Sequence, residues 1–171
     1  NRYAYTRTYA LELAMLDIGE DGIRELRQTM LSSTVENREK PLRQMFPEPR
    51  YQQVMDTLRA QKILTMILEH FDEQCRNGQI NNPQIPRMVR NYFTEMAFVI
   101  FDCARTLKPG APMVMVNDNV RYEGAHVPVD LILSEIAKLA GFGIEAIWVL
   151  PRGKGNSSQQ MGLYGREEIR K

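Results

Sequence analysis

The sequence predicts an α/β protein, and three observations carry that prediction. The hydrophobic period changes after residue 107, where helical stripes give way to short, nearly continuous apolar runs. The second half then reads helix, strand, helix, strand with short links, the order of βαβ units in a parallel sheet covered by helices. Proline and glycine fall at the junctions of these elements, at Pro109-Gly110, Gly141 and Pro151.

The elements follow in order. Residues 6–17 (TRTYALELAMLD) predict a helix with Tyr9, Leu13 and Leu16 on one face, stopped by Gly19. A second short helix opens at Asp21 and runs to Leu31. Residues 32–50 are polar, carry three prolines and read as a loop with little regular structure. One long helix is expected over Tyr51 to Cys75, with Val54, Leu58, Leu64, Ile67/Leu68 and Phe71 as its stripe and Asn77-Gly78 as its stop. After the turn-rich NGQINNPQIP, a strong helix spans Pro86 to Leu107 with Val89, Phe93, Ala97, Ile100/Phe101 and Ala104 on its apolar face. APMVMVND (111–118) predicts a strand buried on both faces. An amphipathic helix over 128–141 and a second buried strand, IEAIWVLP (144–151), complete the pattern. Two strands do not make a stable parallel sheet, so both are expected to need neighbours outside this chain.

Composition sets the bounds. A chain of 171 residues can bury one sizeable core, and 43% hydrophobic with 25% charged residues is ordinary for a soluble globular protein. No apolar run reaches the ~18 residues a membrane span requires. Cys75 and Cys103 stand at no metal-ligand spacing, which fits a reducing, cytoplasmic setting. His70 and His126 are isolated, read as a helix residue and a loop residue, and neither is expected to bind metal. The formal net charge of +1 does not announce nucleic-acid binding, so any such role must rest on local patches. One candidate is the tail from Arg152 to Lys171, which sets Arg152, Lys154, Arg166, Arg170 and Lys171 against Glu167 and Glu168. A solvated charged tail is the alternative.

Certain segments resemble a known family. ARTLKPGAPMVMVNDN followed by EIAKLAGFGIEAIWVLP is similar to the C-terminal half of S-adenosylmethionine-dependent class I methyltransferases with the Rossmann-like fold, where a helix ending in LKPGG precedes one strand and a helix ending in AGF precedes the next. The opening NRYAYTRTYALEL resembles the segment that follows the catalytic tetrapeptide, Ser/Asn/Asp-Pro-Pro-Tyr, of DNA methyltransferases that modify an exocyclic amino group. ELRQTMLSSTVENR and the ending LPRGKGNSSQQMGLYGREEIRK match the same group, so the resemblance covers nearly the whole chain. The tetrapeptide itself and the cofactor-binding Phe-x-Gly-x-Gly loop do not appear. The chain also begins without Met, and the resemblance implies a partial enzyme: the C-terminal half of the methyltransferase sheet, two strands with covering helices, behind a helical N-terminal region. The implied divisions are residues 1–19 as the loop and helix after the catalytic motif, 20–91 as a helical insertion suited to target recognition, and 92–171 as the α/β part.

The resemblance implies transfer of a methyl group from S-adenosylmethionine to N4 of cytosine or N6 of adenine in double-stranded DNA, as in restriction–modification. It implies that Asn1, Arg2, Tyr3 and Tyr5 belong to the loop behind a base flipped out of the duplex, with Asn1, Tyr3 and Tyr5 at the catalytic site. Arg2 and Arg7 are candidates for phosphate contacts, and Tyr9 reads as a helix-packing residue. Asn117, Asp118 and Asn119 follow the first apolar run, where open α/β sheets place their sites; they either line the base or cofactor pocket or cap the next segment. Arg152, Lys154, Gln159 and Gln160 lie in a Gly/Ser-rich loop that suits contact with DNA, a mobile surface loop being the alternative. Cytosine-C5 chemistry is disfavoured, because it needs a cysteine nucleophile on a loop and Cys103 is mid-helix. A class I methyltransferase acting on RNA or a small molecule, and a non-catalytic DNA-binding module, are the competing readings.

Overall fold

The computed structural model describes residues 9–122 and 124–149. Their fold is helix-rich with one small sheet. The helices are α1 (Ala10–Met15), α2 (Glu20–Thr29), α3 (Leu42–Met45), α4 (Glu48–Arg59), α5 (Lys62–Arg76), α6 (Ile85–Thr106) and α7 (Val129–Leu139). Strands β1 (Val120–Tyr122) and β2 (Ala125–Val127) form an antiparallel hairpin with Val120 opposite Val127 and Arg121 opposite His126.

Helix α6 is the centre of the core. Val89, Phe93, Ala97 and Ile100 recur at three- and four-residue steps and are buried. Val54 and Leu58 of α4, Leu64, Ile67 and Phe71 of α5, and Val129, Ile132, Leu133 and Ile136 of α7 join them in one cluster. Helix α6 runs through residues 91 and 92, so the helices before and after that point share a single core.

The long helix expected over 51–75 is two helices, broken at Ala60-Gln61. At ~100° per residue, Val54 and Leu64 would sit about 80° apart on one continuous helix, so the two halves of the stripe cannot face the same core. The break resets the phase. Gln61 leaves helical geometry at ψ 90° and its carbonyl accepts from the backbone N–H and the Oγ1 of Thr65, which starts α5. The loop expected over 32–50 also contains α3 and the first turn of α4, with Pro47 as the residue preceding that helix.

Helix ends follow local chemistry. Gly141 takes φ +105° after α7, where the Phe142 N–H reaches the Ala137 carbonyl and the Gly141 N–H reaches that of Lys138. Gly78 closes α5 in the same way. Helix α1 is stopped two residues earlier than expected, by Asp17 at φ +58°, a conformation that aspartate tolerates better than most residues. Gly19 instead precedes α2 in extended geometry.

The two predicted strands are the main correction. Residues 111–119 and 142–149 carry no strand ladder among the described residues, and the sheet that is present is the hairpin just after the first of them. Burial is one-sided over 111–116, and in the second segment it ends at Ile144, with residues 145–149 exposed. Met113, Met115, Phe142 and Ile144 pack against the core, whereas Val116 is 91% exposed and Trp148 82% exposed. The alternation from Ala111 to Val116 keeps the two-residue period of a strand, but it covers one face, not both. His126, read as a loop residue, lies in β2.

Candidate functional site

The residues singled out in the sequence fall into three groups. Asn1, Arg2, Tyr3, Tyr5 and Arg7, and likewise Arg152, Lys154, Gln159 and Gln160, lie outside the described residues. Asn117 and Asp118 are exposed at the end of the 111–116 run. Asn119 is half-buried, and its Oδ1 accepts from the Asp130 N–H at 3.2 Å in the first turn of α7. That bond satisfies one of the amides a helix start leaves open, so Asn119 serves the helix.

Sequence reasoning missed the densest polar site, which is built on α6. Glu95 is 4% exposed and its carboxylate accepts three hydrogen bonds. Ser32 donates from its Oγ (2.6 Å) and from its backbone N–H (2.8 Å), and Lys40 donates from Nζ (2.6 Å). The charge is therefore both paired and fully hydrogen-bonded, the condition under which a buried carboxylate is tolerated. The signal was legible: Glu95 is the one charged residue in the run Phe93–Phe101.

Around this anchor, residues 32–40 form an ordered loop. Asn37, also buried, accepts at Oδ1 from the Ser33 and Thr34 amides and the Thr34 hydroxyl, and donates from Nδ2 to the Arg27 carbonyl. Gln28 of α2 clamps the far side, donating to the Glu36 carbonyl and accepting from the Arg38 amide. Arg87 of α6 donates to the Val35 carbonyl and to the Gln84 side chain. Side chains of α2, α6 and the loop itself thus hold a segment that the sequence presents only as polar and proline-bearing.

Lys40 and Glu95 also line a groove of about 260 Å³ between α3 and α6, with Leu31, Phe46, Phe98 and Asp102 among its other walls. Phe46 stacks on Phe98 with ring centroids 4.4 Å apart, and Arg50 pairs with Asp102 at 2.8 Å. Burial pushes the Tyr92 phenol above its ordinary range. Among the described residues no group of His, Cys, Asp and Glu is placed to hold a metal, and no helix is long and apolar enough to cross a membrane.

Over its whole length the chain is similar to bacterial proteins named Type II methyltransferases. The particular relatives are the Type II methyltransferase M.AvaI of Nostoc sp. and of Anabaena variabilis, each 54% identical over 171 residues, and the Type II methyltransferase M.BsoBI of Geobacillus stearothermophilus, 48% identical over 178 aligned positions. All of this chain is covered in each comparison, against 34% of the M.AvaI proteins and 35% of M.BsoBI. The chain thus spans about a third of the length of the curated relatives it matches. No family model and no solved structure matches it.

Proposed function

We propose that the chain is part of a DNA methyltransferase of a restriction–modification system, one that transfers a methyl group from S-adenosylmethionine to the exocyclic amino group of cytosine (N4) or adenine (N6). The observation that carries this reading is identity of 54% over all 171 residues to a protein named as a Type II methyltransferase.

The one-sided burial of 111–116 and the exposure of 145–149 support the fold side of the proposal. Both segments are strands of a Rossmann-like sheet whose ladder partners and second covering layer come from polypeptide beyond the described residues. A strand without neighbours leaves its backbone amides to water and its outer face bare, which is the state of Val114, Val116 and Trp148. In the completed sheet Asn117 and Asp118 stand at the edge where such sheets bind ligands.

The described residues do not by themselves fit the cofactor. S-adenosylmethionine needs a glycine-rich turn after a strand, where backbone can approach closely, and none precedes or faces Asn117-Asp118 among them. Cofactor binding is therefore assigned to the remainder of the enzyme. The contribution of this chain lies in its opening segment, with Asn1, Tyr3 and Tyr5 beside the flipped base and Arg2 on the phosphate backbone, and in Arg152, Lys154, Gln159 and Gln160 on the DNA. An exocyclic amine is a poor nucleophile because its lone pair is delocalised into the ring. Placing hydrogen-bond acceptors on its N–H groups and holding it in line with the methyl donor is the catalysis such a site must supply.

The test uses the full-length natural protein carrying this chain, incubated with DNA and methyl-labelled S-adenosylmethionine, with the DNA then digested to nucleosides. Label in N4-methylcytosine or N6-methyladenine is the expected result. A folded protein that labels no DNA of any sequence sinks the proposal.

A further inference from the structure

We propose that the loop Ser33–Glu39 is a preformed contact for the phosphate backbone of double-stranded DNA, with Arg38 and Arg87 as the contacting residues and Glu95 as the residue that positions the loop. The inference rests on the DNA reading above and adds to it residues other than those named in the opening segment and the tail.

The loop is far more constrained than a connection between two helices requires. Its inward polar groups are all engaged: Ser32 and Lys40 on Glu95, Asn37 on the turn it encloses, and the Glu36 carbonyl and Arg38 amide on Gln28. Burying Ser32, Asn37 and Glu95 together has a desolvation cost, and a flexible link would avoid it. What that expense secures is a loop of fixed shape, and fixed polar loops on helical scaffolds are a common form of binding element.

The outward face shows the partner's chemistry. Arg38 is exposed and makes no side-chain hydrogen bond or ion pair with the described residues. Arg87, also exposed, bonds only the neutral Val35 carbonyl and Gln84, with no carboxylate among its described partners. Both guanidiniums therefore keep their full charge for an external anion. By contrast Arg24, Arg43, Arg59 and Arg90 are each committed to a carboxylate of the protein. Arginine presents a planar fork of donors suited to phosphate oxygens. Glu36 and Glu39 outnumber Arg38, so Ser33–Glu39 carries a net charge of −1 and Arg87 brings the total to zero; binding here rests on the placement of two guanidiniums and not on a general adhesion of polyanions.

The test is duplex-DNA binding by the full-length protein across a salt series, read by fluorescence anisotropy, beside the methylation assay. Arg38→Ala and Arg87→Ala are each expected to weaken binding several-fold for every duplex sequence, and each to lower the slope of log affinity against log salt by about one. Arg59→Ala, which loses only a surface pair with Asp56, is the comparator and should change neither. Glu95→Gln, with Ser32→Ala as a milder variant that keeps the carboxylate, should weaken binding while leaving the slope intact, because the charged contacts remain and only their placement is lost. If the wild-type protein methylates DNA and Arg38→Ala retains both affinity and slope, the loop proposal is overturned while the functional reading stands. If the wild-type protein neither binds nor methylates DNA, both fall.

Discussion

The four-helix body of α4 to α7 and the two segments 111–119 and 142–149 behave oppositely although both are rich in apolar residues. The helices close their own backbone hydrogen bonds and then bury one face against each other, so α6 reaches zero exposure at Ala97 and Ile100. Residues 111–116 have one face on that same core, through Met113 and Met115, and leave the other in water, whereas 142–149 reach it only through Phe142 and Ile144 and are exposed from 145 onward. A helix is finished by its own residues, whereas a strand is finished only by its neighbours. The difference separates a part whose apolar faces are covered by its own helices from a part that leaves apolar side chains in water.

That comparison can be tested from its strongest consequence downward. Phe93→Ala should destabilise the isolated chain by about 3–5 kcal/mol in urea denaturation, because it opens a cavity where every neighbour is already packed. Removing the loop anchor comes next. Glu95→Ala leaves the partly buried Lys40 and the buried Ser32 without their acceptor and should cost about 3 kcal/mol, with faster amide exchange across Ser32–Asn37. A loss below 1 kcal/mol would mean that the loop is held by Asn37 and Gln28 alone. Gly141→Ala is expected to cost about 1–2 kcal/mol, since φ +105° strains any residue with a Cβ although the surrounding space is open. Val116→Thr should move the stability of the isolated chain by no more than about 0.5 kcal/mol. A cost near that of Phe93→Ala would break the contrast, because it would show the outer face already covered.

The smallest effect is at alkaline pH. Burial raises the phenol of Tyr92 in the folded state, so the unfolded chain ionises first, near pH 10. Tyr92 therefore contributes stability that is present below that pH and is lost as pH rises through the folded value. Tyr92→Phe should flatten this alkaline decline, seen as a smaller fall in melting temperature above pH 10.

Legibility divides along the same line. The stripes of α6 and α7 and the stop at Asn77-Gly78 were readable because their causes lie within a few residues: a 3.6-residue period, a first-turn proline, a glycine with positive φ. The break at Gln61 was hidden, although the shift in phase between Val54 and Leu64 was its trace. The loop 32–50 was read as irregular because its organising partner, Glu95, lies 63 positions from Ser32. The hairpin at 120–127 was passed over, and Gly124 at positive φ between two short apolar-containing stretches was its signal. Of the site residues, Asn119 turned out to serve the start of α7.

From its sequence alone this chain determines where helices form and stop, which of their faces are apolar, and where runs of strand period lie, because each depends on contacts spanning one or two turns. Only the tertiary structure decides that α4 to α7 share one core, that a buried carboxylate ties residues 32–40 to α6, and that the 111–119 and 142–149 runs keep a bare face. Those outcomes depend on which distant surfaces meet, and no local period records a partner 60 residues away.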